Sequence, residues 1–67
     1  MRLNEILKDA RIKSGMTLKD VSSETGASIS TVSKYETGSR KIPVSYVRFW
    51  IGKGIKIDWE GLEIENN

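Results

Sequence analysis

The chain has 67 residues and a formal net charge of +2, with no cysteine and no histidine, which excludes a disulfide framework, a thiolate metal site and the commonest metal ligand and general base. A domain this short buries only about 60% of the surface its unfolded chain would expose, so one small core is expected and no separate sensor domain. With no stretch near the roughly 20 apolar residues of a membrane span and no apolar signal-type region at its start, the chain reads as a cytoplasmic protein without metal or cofactor.

From Arg2 to Ser14, residues Leu3, Ile6, Leu7 and Ala10 fall at the i, i+3, i+4, i+7 spacing of a helix burying one stripe. Gly15 supplies its stop. Thr17 announces a second helix, because its hydroxyl can cap free backbone N–H groups while Asp20, three residues on, reaches back in a capping box. That helix is expected from Leu18 to about Thr25, burying Leu18 and Val21. Gly26 ends it with ready access to positive φ, and Ser28 caps a third helix over Ile29 to Thr37.

In the third helix Val32 and Tyr35 share a face toward the core, while Ser30, Ser33, Lys34 and Thr37 fall together on the opposite, polar face. Gly38 closes it, and Ser39-Arg40-Lys41 forms a basic loop. Pro43 suits the first turn of a fourth helix, with Val47, Trp50 and Ile51 as its buried stripe and Gly52 and Gly54 at its end. Beyond it, Ile55, Ile57 and Trp59 alternate as in a strand, yet Asp58 also suits the cap of a short last helix. The short helix is favoured over a hairpin. The expected architecture is all-α with four to five helices: a core over residues 1–53, and a C-terminal segment over 54–67 that serves packing, dimerisation and an acidic tail.

The charge is unevenly spread. Ten Lys/Arg against five Asp/Glu give residues 1–53 a charge of +5, whereas one Lys against four acids gives residues 54–67 a charge of −3. A basic body suits a polyanionic partner with the tail held away from it. The order of elements sharpens this, since a capped helix, a short Gly-containing turn and a second capped helix with a small polar outer face make a helix-turn-helix, here over Thr17 to Thr37. In such a unit the second helix lies in the major groove and must exchange hydrogen bonds with base edges. Ser30, Ser33 and Lys34 are suited to that task.

The string Leu7-Lys8, Arg11, Gly15, Thr17-Leu18, Val21, Gly26, Ser28, Ser30, Val32-Ser33, Tyr35-Glu36, Gly38, Arg40 and Ile42-Pro43 resembles the lambda-repressor-like, or Cro/repressor-type, helix-turn-helix domains. The resemblance implies a domain of four or five helices that binds double-stranded operator DNA, usually as a two-fold dimer. It implies base-reading positions at Ile29, Ser30, Ser33 and Lys34, and phosphate contacts near Thr17, Lys19, Ser28, Thr37, Arg40 and Lys41. Where the family often has a polar residue such as Gln this chain has Ile29, whose aliphatic side chain can pack on a thymine methyl but cannot hydrogen-bond a base edge. The resemblance also implies a structural ion pair between Arg11 and Glu36.

Aromatic residues are enriched at interface centres, so Trp50 and Trp59, with Ile57 and Leu62, are candidates for a dimer contact as well as for the core. Glu60, Glu63 and Glu65 read as a solvated acidic tail, because nothing adjacent supplies a pocket to perturb their pKa values. No nucleophile elbow or phosphate loop is present, so no catalytic activity is expected. The functional expectation is a phage- or plasmid-type repressor acting as a homodimer on a near-palindromic operator, with no membrane association and no small-molecule effector. The alternative is a protein-interaction module, such as an antitoxin-like partner docking through its C-terminal segment.

Overall fold

The computed structural model describes residues 2–61, which form α1 (Leu3–Lys13), α2 (Leu18–Thr25), α3 (Ile29–Thr37) and α4 (Val44–Gly52). The all-helical class and the boundaries of the first three helices agree with the sequence pattern. None of these helices is long enough to be stable alone, so each depends on caps and on packing.

At the start of α2 the Thr17 hydroxyl accepts from the Asp20 N–H at 3.0 Å while the Thr17 N–H donates to the Asp20 carboxylate at 2.8 Å. That backbone hydrogen bond holds the Asp20 carboxyl below its usual range, keeping it ionised at the positive end of the helix. The turn into α3 is fastened by side chains of α2. Thr25 Oγ1 donates to the Val21 carbonyl at 2.8 Å and accepts from the Ala27 N–H at 3.3 Å, and Ser22 Oγ donates to the Ala27 carbonyl at 2.6 Å. Gly26 itself sits at φ +81°, in the left-handed region that side chains with a Cβ rarely adopt.

Ser28 Oγ caps α3 by accepting from the Thr31 N–H at 3.1 Å. Gly38 ends α3 at φ +80°, and an added Cβ there would approach the Asn4 amide at 3.4 Å, so conformation and proximity to α1 both favour glycine.

The core consists of Leu7, Ala10, Val21, Val32, Tyr35, Tyr46, Val47 and Trp50, with α2 packed on α3 and α1 packed on both α3 and α4. Tyr46 is its aromatic hub, with ring centroids 4.7 Å from Tyr35 and 6.4 Å from both Phe49 and Trp50. Burial pushes the Tyr46 phenol above its ordinary value. Tyr46 Oη and Trp50 Nε1 are buried with no hydrogen-bond partner among the described residues, a local cost set against the apolar area these rings remove from water.

The structure departs from the sequence pattern in three places. Ile51 is 46% exposed: the inward stripe of α4 is Tyr46, Val47 and Trp50, and Ile51, about 100° round the helix from Trp50, shares the outer face with Val44 and Arg48. Pro43 lies one residue earlier than expected, at the N-cap in extended conformation, where its carbonyl accepts from the N–H groups of Tyr46 and Val47. The favoured short last helix is replaced over the described residues by a turn at residues 58–61. There Asp58 Oδ1 accepts from the N–H groups of Glu60 and Gly61, an Asx-type closure that satisfies the turn locally. Ile55 and Ile57 pack against the core, while Leu62, Glu63 and Glu65 lie outside the described residues.

One ion pair ties α1 to α3. Arg11 Nε and Nη2 donate to the two carboxylate oxygens of Glu36 at 2.6 and 3.1 Å, and Nη1 donates to the Met16 carbonyl at 2.9 Å. The Glu36 carbonyl accepts from the Asn4 amide at 3.1 Å. Bonding to Glu36 raises the Arg11 guanidinium above its ordinary value. Glu36 is buried, and a buried carboxylate that loses its cation is left uncompensated. We therefore expect Arg11→Met to cost about 3–5 kcal/mol, and Arg11→Met combined with Glu36→Leu to recover most of that loss. Urea denaturation followed by far-ultraviolet circular dichroism measures both; a single variant within about 1 kcal/mol of the parent would show that the pair does not hold the helices together.

Candidate nucleic-acid interface

With Val32, Tyr35 and Glu36 facing inward, the helical period leaves Ile29, Ser30, Ser33, Lys34 and Thr37 along the other side of α3, because residues three and four apart stack along one face. Ile29, Ser30, Lys34 and Thr37 are exposed and Ser33 is half-buried. The base-reading candidates thus share one continuous helical surface. No acidic residue occurs in the first turn of α3, so nothing there would repel a phosphate backbone.

The candidate phosphate contacts flank this surface in the chain: Thr17 and Lys19 at the start of α2, Ser28 at the start of α3, and Thr37, Arg40 and Lys41 at and after its end. Lys19, Arg40 and Lys41 are exposed, and with Lys34 they form no ion pair to a described residue. Contact with an anion would therefore break no internal bond. By contrast Arg11, Lys13 and Lys53 are engaged by Glu36, Asp9 and Glu24.

The hydroxyls at these positions are each engaged within the domain. Thr17 Oγ1 accepts the Asp20 N–H, and a hydrogen bond between the two side chains helps hold the Asp20 carboxyl below its usual range, so an outside acceptor would compete with that carboxylate for the hydroxyl proton. Ser28 accepts from the Thr31 N–H and donates to Thr31 Oγ1 at 2.9 Å, so a phosphate would have to displace that second bond. Thr37 Oγ1 donates to the Lys34 carbonyl at 3.3 Å and so accepts from the Ser39 hydroxyl at 2.8 Å, which leaves neither proton of the pair uncommitted.

The dimer candidates separate by burial. Trp50 is fully buried and packs edge-on against Phe49 with centroids 5.1 Å apart. It is a core residue with no surface to offer a partner, contrary to its expected place at a dimer contact. Ile57 is half-buried against the core, Trp59 is 57% exposed, and Leu62 lies outside the described residues.

Three further residues support the site. Asn4 reaches a carbonyl 32 positions away, and no local pattern announces such a contact. Tyr46 was legible in principle, since it stands four residues before Trp50. Lys53 lies 5.2 Å over the Phe49 ring while pairing with Glu24 at 2.9 Å, so it fastens α4 to the end of α2 and is not a free cation.

Among the described residues no group of three or more His, Cys, Asp or Glu converges on a common point, and no helix is long and apolar enough to cross a membrane. No curated protein and no solved structure gives a significant match to the chain. A family model described as helix-turn-helix, of the Cro/C1 type, matches residues 7–49, a span that contains α2, the turn, α3 and the Arg11–Glu36 pair. The chain therefore belongs to the Cro/C1-type helix-turn-helix family of DNA-binding transcription regulators.

Proposed function

We propose that the protein is a sequence-specific repressor of the phage or plasmid type, acting in the cytoplasm as a homodimer on a near-palindromic operator. The observation that carries this reading is the outer surface of α3. Ile29, Ser30, Ser33 and Lys34 lie along it, and none of their side chains is engaged by a hydrogen bond or ion pair within the described chain. In a two-fold dimer the two α3 helices would enter successive major grooves about 34 Å apart, with Arg40 and Lys41 on the sugar-phosphate strands. Occupancy of the operator would then block polymerase. A single module of this size makes modest contacts, which is why two subunits are needed for useful affinity.

The exposed Trp59 favours a contact with a second protein surface, and we assign it to the dimer. Were its partner a different protein, the chain would be an adaptor of the antitoxin-like kind. Salt separates the two readings, because DNA binding weakens steeply through counterion release and apolar docking does not.

The deciding experiment is selection of bound sequences from a random duplex library, followed by titration of the selected duplex at two salt concentrations. An enriched, near-palindromic site with steep salt dependence supports the repressor reading; absence of enrichment overturns it. On the selected site, Lys34→Ala is expected to weaken specific binding by about tenfold while changing binding to random DNA little, and Arg40→Ala to weaken both by similar factors. Equal losses from Lys34→Ala on both duplexes would remove Lys34 from the base-reading set. Trp59→Lys should shift the protein toward monomer in sedimentation equilibrium with its helical circular dichroism unchanged; dimerisation at the parental concentration would place the contact elsewhere.

A further inference from the structure

Ile29 departs from the pattern of every other large apolar side chain between Thr17 and Thr37. Leu18, Val21, Val32 and Tyr35 belong to the core or pack against it, whereas Ile29 is 47% exposed. The other exposed large apolar residues among those described, Ile12, Val44, Ile51 and Trp59, all lie outside the α2–turn–α3 unit. A β-branched side chain on an exposed helical site is slightly unfavourable relative to alanine, and the cap of α3 is supplied by Ser28 alone.

As the first residue of α3, Ile29 stands at the end of a recognition helix whose N-terminal residues reach base edges. Its side chain has no donor or acceptor, and its branching at Cβ restricts it to few rotamers. In the major groove the only apolar feature a base pair presents is the methyl group on C5 of thymine. Cytosine methylated at C5 carries the same group at the same place on the ring. It differs from thymine at C4, where an amino donor replaces an oxygen acceptor, and an alkyl side chain makes no hydrogen bond to either.

We infer that Ile29 reads the C5 methyl group itself, so that at the base pair it faces thymine is preferred over uracil and 5-methylcytosine over cytosine. This rests on the proposed seating of α3 in the major groove and adds to it a sensitivity to covalent methylation of the DNA. Burial of one methyl group corresponds to about a fourfold change in affinity per half-site, and to about fifteenfold when both half-sites of a dimer are altered.

The test uses the full chain and the duplex obtained by random-library selection. Each thymine is replaced singly by uracil, which removes the methyl and leaves pairing intact, and each cytosine by 5-methylcytosine. At the position sensitive to uracil, cytosine and 5-methylcytosine are then compared on the same C:G pair. The expected result is one position per half-site where uracil weakens binding about fourfold and where 5-methylcytosine binds about fourfold tighter than cytosine.

Both ratios should fall to about one in Ile29→Ala, whose helical circular dichroism should match the parent because the core residues and the Ser28 cap of α3 are unchanged. The inference is overturned if no pyrimidine in the site responds to its C5 methyl, or if Ile29→Ala keeps the parental ratios, which would assign the methyl contact to another side chain. Failure of the underlying reading shows itself earlier and separately, as a selection that yields no site at all.

Discussion

Glu36 is the buried charge around which this domain is arranged. A domain this small has little apolar surface with which to offset an unsatisfied carboxylate, so every oxygen of that residue must be met. They are: Arg11 supplies both carboxylate bonds and Asn4 the carbonyl bond, and the same guanidinium also holds the Met16 carbonyl just ahead of α2. Compared with a well-packed hydrophobic pair, such an ion pair contributes little net stability. What it excludes is a rotated α3. Turning that helix by one residue, about 100°, would carry Glu36 away from Arg11 and leave both groups without their partners, so the pair selects which residues of α3 face outward.

The helices that carry the proposed DNA contacts are short, α2 having 8 residues and α3 9, and lengths of that order do not persist without tertiary support. Their ends are accordingly closed by side chains: Thr17 with Asp20, Ser22 and Thr25 across the turn, Ser28 into α3. This closure constrains function, because a hydroxyl that caps a helix has only the hydrogen-bonding capacity that capping leaves over. Thr17 faces the Asp20 carboxylate and Ser28 donates to Thr31, so at either residue a phosphate would have to displace an internal contact.

What was legible in the sequence follows the range of the interactions involved. Caps and glycine stops act within three or four residues, and Thr17, Asp20, Gly26, Ser28 and Gly38 accordingly marked α2 and α3 correctly. The core faces of α1 to α3 followed from periodicity. The fourth helix was harder, because Tyr46, Val47, Phe49, Trp50 and Ile51 are nearly all apolar and a 3.6-residue period cannot be read where polar residues do not mark the other face; Ile51 was placed inward for that reason. The Asp58 cap was also visible, but the turn it closes depends on Ile55 and Ile57 being held by the core, which is a tertiary fact. Of the candidate site, the exposed face of α3 followed from spacing alone, whereas Ile29 and the Arg11–Glu36 pair entered through family resemblance and then acquired geometry.

The make-up of that face sets a demand on the rest of the molecule. Lys34 is its one long cation; Ser30, Ser33 and Ile29 are short and reach only a few ångströms beyond the backbone. On the proposed reading, α3 must therefore sit close to the base edges, and the long side chains of Arg40 and Lys41 are suited to span from the domain to the sugar-phosphate strands while it does so. Phosphate contacts of this kind give affinity for any duplex. Discrimination then depends on small displacements of α3, since a serine or a methyl contact is lost over a shift that a flexible lysine would follow. The Arg11–Glu36 pair and the side-chain clasp of the α2–α3 turn thereby acquire a role beyond stability: by limiting such displacements they set how sharply one base pair is told from another, although neither touches DNA in this arrangement.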